Sequence, residues 1–146
     1  MSELKNEIQF CQVTPVLDTN AYAANDTLFT TTLVPGKFYS GRIKGVIAID
    51  KDDGGEAGSL YFFNTNVSFG AFNVVPAPSD ADAISYLGTV AIAAGFDFGA
   101  NRVTYVACDI PFASVDGKIY VAGVTTTALT HTASGMVYNI IIEKYS

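Results

Sequence analysis

The chain has 146 residues, which suits a single domain over 1–146 and is short for two. Apolar residues make up 49% and charged residues only 15%, against about 25% in a typical soluble domain, so part of the surface is expected to be covered by a partner. A net charge of -6, with eight scattered Lys and Arg, leaves no basic stripe to neutralise phosphates or anionic lipid, which argues against nucleic-acid and membrane partners.

Runs of β-branched and aromatic residues alternate with Gly, Pro, Asn and Asp clusters, the punctuation of an all-β protein. Eight strands are predicted. The first runs from Ile8 to Leu17, with Pro15 marking an edge position or a bulge. The second, Thr27 to Val34, is stopped by Pro35-Gly36. The third, Gly41 to Asp50, sets Ile43, Gly45, Ile47 and Ile49 against Arg42, Lys44, Val46 and Ala48, and ends in the acidic turn Asp50 to Gly55. The fourth is Ser59 to Asn64, the fifth Tyr86 to Ala94, and the sixth Arg102 to Phe112, broken at Pro111. The seventh is Lys118 to Thr127, entered through Asp116-Gly117, and the eighth Met136 to Tyr145. Their short, even spacing points to an antiparallel two-sheet β-sandwich of the jelly-roll kind.

One segment has a helical signature. Ser79-Asp80-Ala81-Asp82 reads as a capped start, giving a turn or two of helix near 79–84 with Ala81, Ile84 and Leu87 on one face and Gly88 as the stop. The eighth strand is apolar on both faces. Met136, Tyr138, Ile140 and Ile142 point one way, and Val137 and Ile141 point the other beside Asn139 and Glu143. A half-exposed strand should alternate with polar residues, so either a loop or another subunit covers this second face. Val137 and Ile141 are therefore the candidate subunit-interface residues, and a homo-oligomer is expected.

Chemistry-bearing residues are sparse. Cys11 and Cys108 each lie inside a strand and read as buried, free thiols. In the acidic turn, Asp50, Asp52 and Gly55 fill the first, third and sixth slots of a calcium loop, but Gly54 takes the fifth and Tyr61 the twelfth. Solvated carboxylates in a hairpin loop are the expectation there. His131, the only histidine, falls in the polar turn Leu129 to Gly135 and reads as a surface residue with no nucleophile elbow for a hydrolase. Asp80, Asp82, Asp97 and Asp109 have no spacing that pairs them as glycosidase acids. No Gly-rich loop opens a helix to cradle phosphate. No metal, no cofactor and no enzymatic activity are expected. Tyr61, Phe62, Phe63, Phe69 and Phe72 are available for a sugar platform, although core packing is the commoner use of such residues. Residues 1–7 lack a basic start followed by an apolar run, so no secretory leader is expected, and Ile119 to Ile142, though uncharged, is interrupted by Thr, Gly and Asn and reads as two strands around a turn rather than a membrane span. Synthesis in a host cytosol is expected.

The segment Val13-Thr14-Pro15-Val16-Leu17-Asp18-Thr19-Asn20-Ala21-Tyr22-Ala23-Ala24-Asn25-Asp26 resembles the opening of a family of small virion structural proteins of tailed bacteriophages. The likeness continues in order through Gly45 to Lys51, Leu60 to Phe63, Asp80 to Asp82 with Leu87-Gly88, Asp109 to Phe112 and Ile119 to Ala122. Asn25 stands where the pattern has Gly, and Asn tolerates the left-handed backbone that such a turn needs. The resemblance implies a jelly-roll-like sandwich located in the virion. Within virions such domains decorate or cement capsids, seat head fibres or belong to tails, and the resemblance does not choose among these. From the low charge and two-faced apolar strands, a decoration or cement subunit against the major capsid protein or another virion protein is expected, as an oligomer, a trimer being suggested by the family and by three-fold positions on icosahedral shells. A tail or fibre module that binds host-surface glycan or receptor is the alternative.

Overall fold

In the computed structural model, residues 6–145 are described, so most of residues 1–7, where no secretory leader is expected, lies outside them. The elements in chain order are β1 (Glu7–Val13), β2 (Thr27–Leu33), β3 (Ser40–Asp50), β4 (Gly58–Phe63), α1 (Asp80–Ala83), β5 (Tyr86–Ile92), β6 (Phe96–Asp97), β7 (Arg102–Ala113), β8 (Tyr120–Thr125) and β9 (Met136–Lys144). One sheet has the order β1-β9-β3-β7-β6 and the other β2-β8-β4-β5. All pairings are antiparallel. Chain order crosses repeatedly from one sheet to the other and brings the first and last strands side by side, the jelly-roll wrap.

The two inner faces form the core. Cys11, Val13, Ile43, Val46, Ala48, Ile110, Phe112, Tyr138, Ile140 and Ile142 come from the five-stranded sheet; Leu28, Leu60, Phe62, Val90 and Val121 come from the other. Phe29 and Tyr138 meet across the sandwich with ring centroids 5.6 Å apart. Gly123 of β8 makes room for this pair: a Cβ there would lie 2.4 Å from the Phe29 ring.

The strands fall close to where the sequence puts them, with instructive departures. β1 stops at Val13, before Pro15. β7 continues through Pro111, which β3 accommodates opposite Arg42. The short strand β6, pairing Phe96 with Val103, has no signal long enough to predict it. A register shift between Ile43 and Gly45 marks a bulge in β3. The extra residue reverses the alternation, because side chains change face at every step. Ile43 is therefore buried with Val46 and Ala48, whereas Ile47 and Ile49 lie on the outer face, against the single-face reading of these isoleucines. Asn25 has φ 71, the left-handed turn expected of it.

Ser79 caps α1 by accepting from the Asp82 amide at 3.1 Å. The helix ends at Ala83, within the 79–84 expected for it. Leu87 and Gly88 belong to β5, and Ile84 is 86% exposed, so the predicted helical face does not form. Four residues cannot sustain such a face, and pairing with β4 takes over from Tyr86.

Candidate functional site

The outer face of the five-stranded sheet carries several exposed apolar side chains, and the pairing registers place its members. One row crosses Phe10, Ile141, Gly45 and Ala107. The next crosses Gln12, Asn139, Ile47 and Tyr105. A third crosses Val137, Ile49, Val103 and Phe96. Phe10 is 63% exposed, Tyr105 62% and Phe96 70%, and Phe96 stacks edge-on against exposed Phe98 at 5.2 Å. At one end the rows give way to charge, where Arg42 and Lys44 reach Asp109 at 3.1 and 3.4 Å. Gln12 and Asn139 interrupt the middle row, but the rest of the face is apolar with charge at its end, which is the anatomy of a protein contact surface. Of the two interface candidates, Ile141 sits half-buried within this face, beside Phe10. Val137 is already covered within the single chain at 7% exposure.

On the outside of the other sheet, Tyr61 and Phe63 of β4 join Phe69, Pro76, Pro78, Ala83 and Tyr86 around an open cleft of about 270 Å³. Phe69 packs on Tyr61 at 5.4 Å and on Phe63 at 5.8 Å. Of the aromatics singled out for a sugar platform, Tyr61, Phe63 and Phe69 are thus gathered. Phe62 points into the core, fully buried, and Phe72 packs against the core from outside. The wall is almost wholly apolar.

The acidic turn and His131 depart most from expectation. Asp50 and Glu56 are 3% and 4% exposed and His131 3%, so neither a solvated carboxylate loop nor a surface histidine is present. Asp50 turns its Oδ2 to the amides of Gly55 and Glu56 at 2.8 and 3.0 Å. His131 Nε2 meets Glu56 Oε2 at 3.1 Å, and Thr127 donates its hydroxyl to the same oxygen at 2.8 Å. Asp52 lies 3.5 Å from His131 Nδ1 and accepts from the Thr132 amide and hydroxyl at 2.9 and 2.8 Å. Backbone and hydroxyl donors thus reach Asp50, Asp52 and Glu56 where water reaches an exposed turn, while Glu56 Oε1 and His131 Nδ1 are buried without a hydrogen-bond partner. The partners are 75 residues apart in sequence, and no local pattern announces them.

Burial alone would push the His131 imidazole down, but the hydrogen bond and charge of Glu56, with Asp50 and Asp52 behind, hold it above its ordinary value. Burial likewise opposes ionisation of Asp52, yet the two Thr132 donors and His131 hold its carboxyl below the usual range. Tyr22 closes the cluster edge-on against His131 at 5.9 Å. With its side chain 1% exposed and Nε2 committed to Glu56, His131 clamps two loops together and offers no surface to a substrate.

The remaining candidates stay apart. Asp97 pairs with Arg102 at 3.6 Å, Asp109 with Arg42 and Lys44, and Asp80 and Asp82 stand on α1. Cys11 is buried and Cys108 only half-buried, both unbridged. Burial raises both thiols, and Asp109 raises Cys108 further. Among the described residues, no group of three or more His, Cys, Asp or Glu is placed to hold a metal ion, and no helix is long and apolar enough to cross a membrane.

Fold and surface together define a jelly-roll β-sandwich with one broad apolar sheet face. No family model and no curated protein matches the chain. Among solved structures, dimeric latent PorU from Porphyromonas gingivalis aligns over 100% of this chain and 13% of its own, at 12% identity and a TM-score of 0.41.

Proposed function

We propose that this chain is a non-enzymatic virion structural protein that decorates the head of a tailed phage, docking on the capsid shell through the outer face of its five-stranded sheet. The carrying observation is the set of apolar rows through Phe10–Ile141, Ile47–Tyr105 and Val103–Phe96, exposed in a chain with little charge to spare. The ordered likeness to phage structural proteins along the sequence supports the location. The mechanism is contact: apolar area leaves water at about 25 cal/mol per Å², repeated at every copy on the particle. Purified chain added to heads assembled without it should sediment with them and raise their resistance to heat. Tyr105→Glu should abolish this binding while leaving the melting of the free chain unchanged, because Tyr105 is 62% exposed. Binding that survives Tyr105→Glu together with Phe96→Glu would reject this face, and a particle map placing the chain in the tail would reject the location.

The cleft between Tyr61, Phe63, Phe69 and Tyr86 favours a second reading, a fibre or tail module that stacks a host-surface sugar on these rings. Its sparse polar lining leaves most sugar hydroxyls unmatched, which ranks it below the first. Glycan-array binding lost in Tyr61→Ala would favour it.

A further inference from the structure

We propose that two copies of this chain join through their β1 strands, edge to edge and antiparallel, centred on Phe10. The inference rests on the reading of the chain as an assembling protein, and it concerns the open side of β1, which adjoins the sheet face at Phe10.

The four sheet edges are not equivalent. β6 is two residues long. β2 is covered by the segment after β4, whose Val74 carbonyl accepts from Thr27, whose Asn73 amide donates to Thr27 and whose Val67 carbonyl accepts from the Thr31 hydroxyl. β5 runs alongside β7 of the other sheet. β1 offers seven residues, paired on one side to β9 in unbroken register, and closes the order of its sheet on the other. Natural edges are guarded by lysine, proline, a bulge or an inward charge. Glu-Ile-Gln-Phe-Cys-Gln-Val has none of these within its length, and its single charge stands at one end.

The strand is also complementary to itself. With Phe10 opposite Phe10 of the second copy, all seven residues pair: Glu7 meets Val13, Ile8 meets Gln12, and Gln9 meets Cys11. At about 3.4 Å per residue the two Glu7 side chains lie about 20 Å apart, beyond a Debye length of about 10 Å at 0.1 M salt. Each already has Lys144 opposite it on β9. Two acidic chains thus meet along a stretch that does not concentrate their repulsion. A slip of one residue would turn Ile8 and Phe10 to the other face, so the apolar rows fix the register. In this register the exposed Phe10 rings come together and the outer face runs continuously across both copies.

Sedimentation of the full chain over a concentration series should show a monomer–dimer equilibrium. Phe10→Lys should keep the thermal melt, since Phe10 is 63% exposed, and raise the dimer dissociation constant at least about tenfold, the effect of roughly 1.4 kcal/mol. In a Cys11→Ala, Cys108→Ala background whose melt is first checked, Phe10→Cys should give a covalent dimer on oxidation, because directly opposed residues stand about 4.5–5.5 Å apart at Cα. Ile8→Cys alone should give none, whereas an equal mixture of Ile8→Cys and Gln12→Cys chains should cross-link. A wild-type chain that stays monomeric at every concentration, a mass of three copies, or equal cross-linking at positions 8 and 10 overturns the pairing. Loss of head binding with the dimer intact overturns the docking reading alone; an intact head complex formed by a strictly monomeric chain overturns the pairing alone.

Discussion

His131 and Glu56 face each other at 3.1 Å with side chains 1% and 3% exposed, joining the loop before β9 to the turn after β3. Breaking a buried pair by removing one partner leaves a charge without compensation and costs about 3–5 kcal/mol. His131→Ala and Glu56→Ala should each lower urea stability by about that amount. The double replacement His131→Ala with Glu56→Ala should cost less than the sum of the two, as read by a double-mutant cycle. Additive losses would show that the pair does not act as a unit.

The same contact sets a pH dependence. The folded-state value of His131 is raised above 6.5, so its stabilisation is complete below 6.5 and is lost as pH rises through the folded value. Asp52 is lowered, so its contribution is present above the ordinary carboxylate range and is lost as pH falls through its depressed value. Denaturation midpoints should therefore fall as pH rises through the raised folded-state value of His131. In His131→Gln that fall should be absent; an unchanged slope would assign it to another group.

Val137 and Ile141 share a face but should respond differently. Val137 is 7% exposed, and Val137→Asp should destabilise the single chain by roughly 3 kcal/mol or more, since it buries an unpaired charge. Ile141→Asp, at a half-buried site, should cost less in folding and more in assembly. Melting and head-binding measured on both variants separate the two effects, and equal melting losses would contradict the burial difference.

Gly123→Ala should cost about 1–3 kcal/mol through overpacking, because the added methyl would meet the Phe29 ring at 2.4 Å and Phe29 is fully enclosed. Phe29→Leu in the same chain should recover part of the loss. A neutral single variant would mean that the Phe29–Tyr138 contact shifts without cost.

Cys11 and Cys108 are unbridged, with both thiols raised by burial. Thermal melts with and without reductant should superimpose, and both thiols should label more slowly than a small free thiol, Cys11 the slower of the two. Rapid labelling of Cys11 would place β1 outside the packed sheet.

The sequence by itself determined where the chain extends and where it turns. β-branched and aromatic runs, Pro35-Gly36, Asp116-Gly117, the Ser79 cap and the left-handed Asn25 are local choices of backbone conformation, and local residues suffice to make them. Tertiary structure alone decided which sheet each strand joins, and thereby which faces are buried. The bulge in β3 is visible only against its neighbours, and it reverses the sides on which Ile43 and Ile47 lie. His131 and Glu56 look like solvated turn residues until the wrap brings loops 75 positions apart into contact and supplies each with a hydrogen-bond partner. Ile141 joins Phe10 because the first and last strands pair. Each of these depends on long-range pairing, whose cost in chain entropy is offset only when the whole sandwich closes, so no short window of sequence carries it.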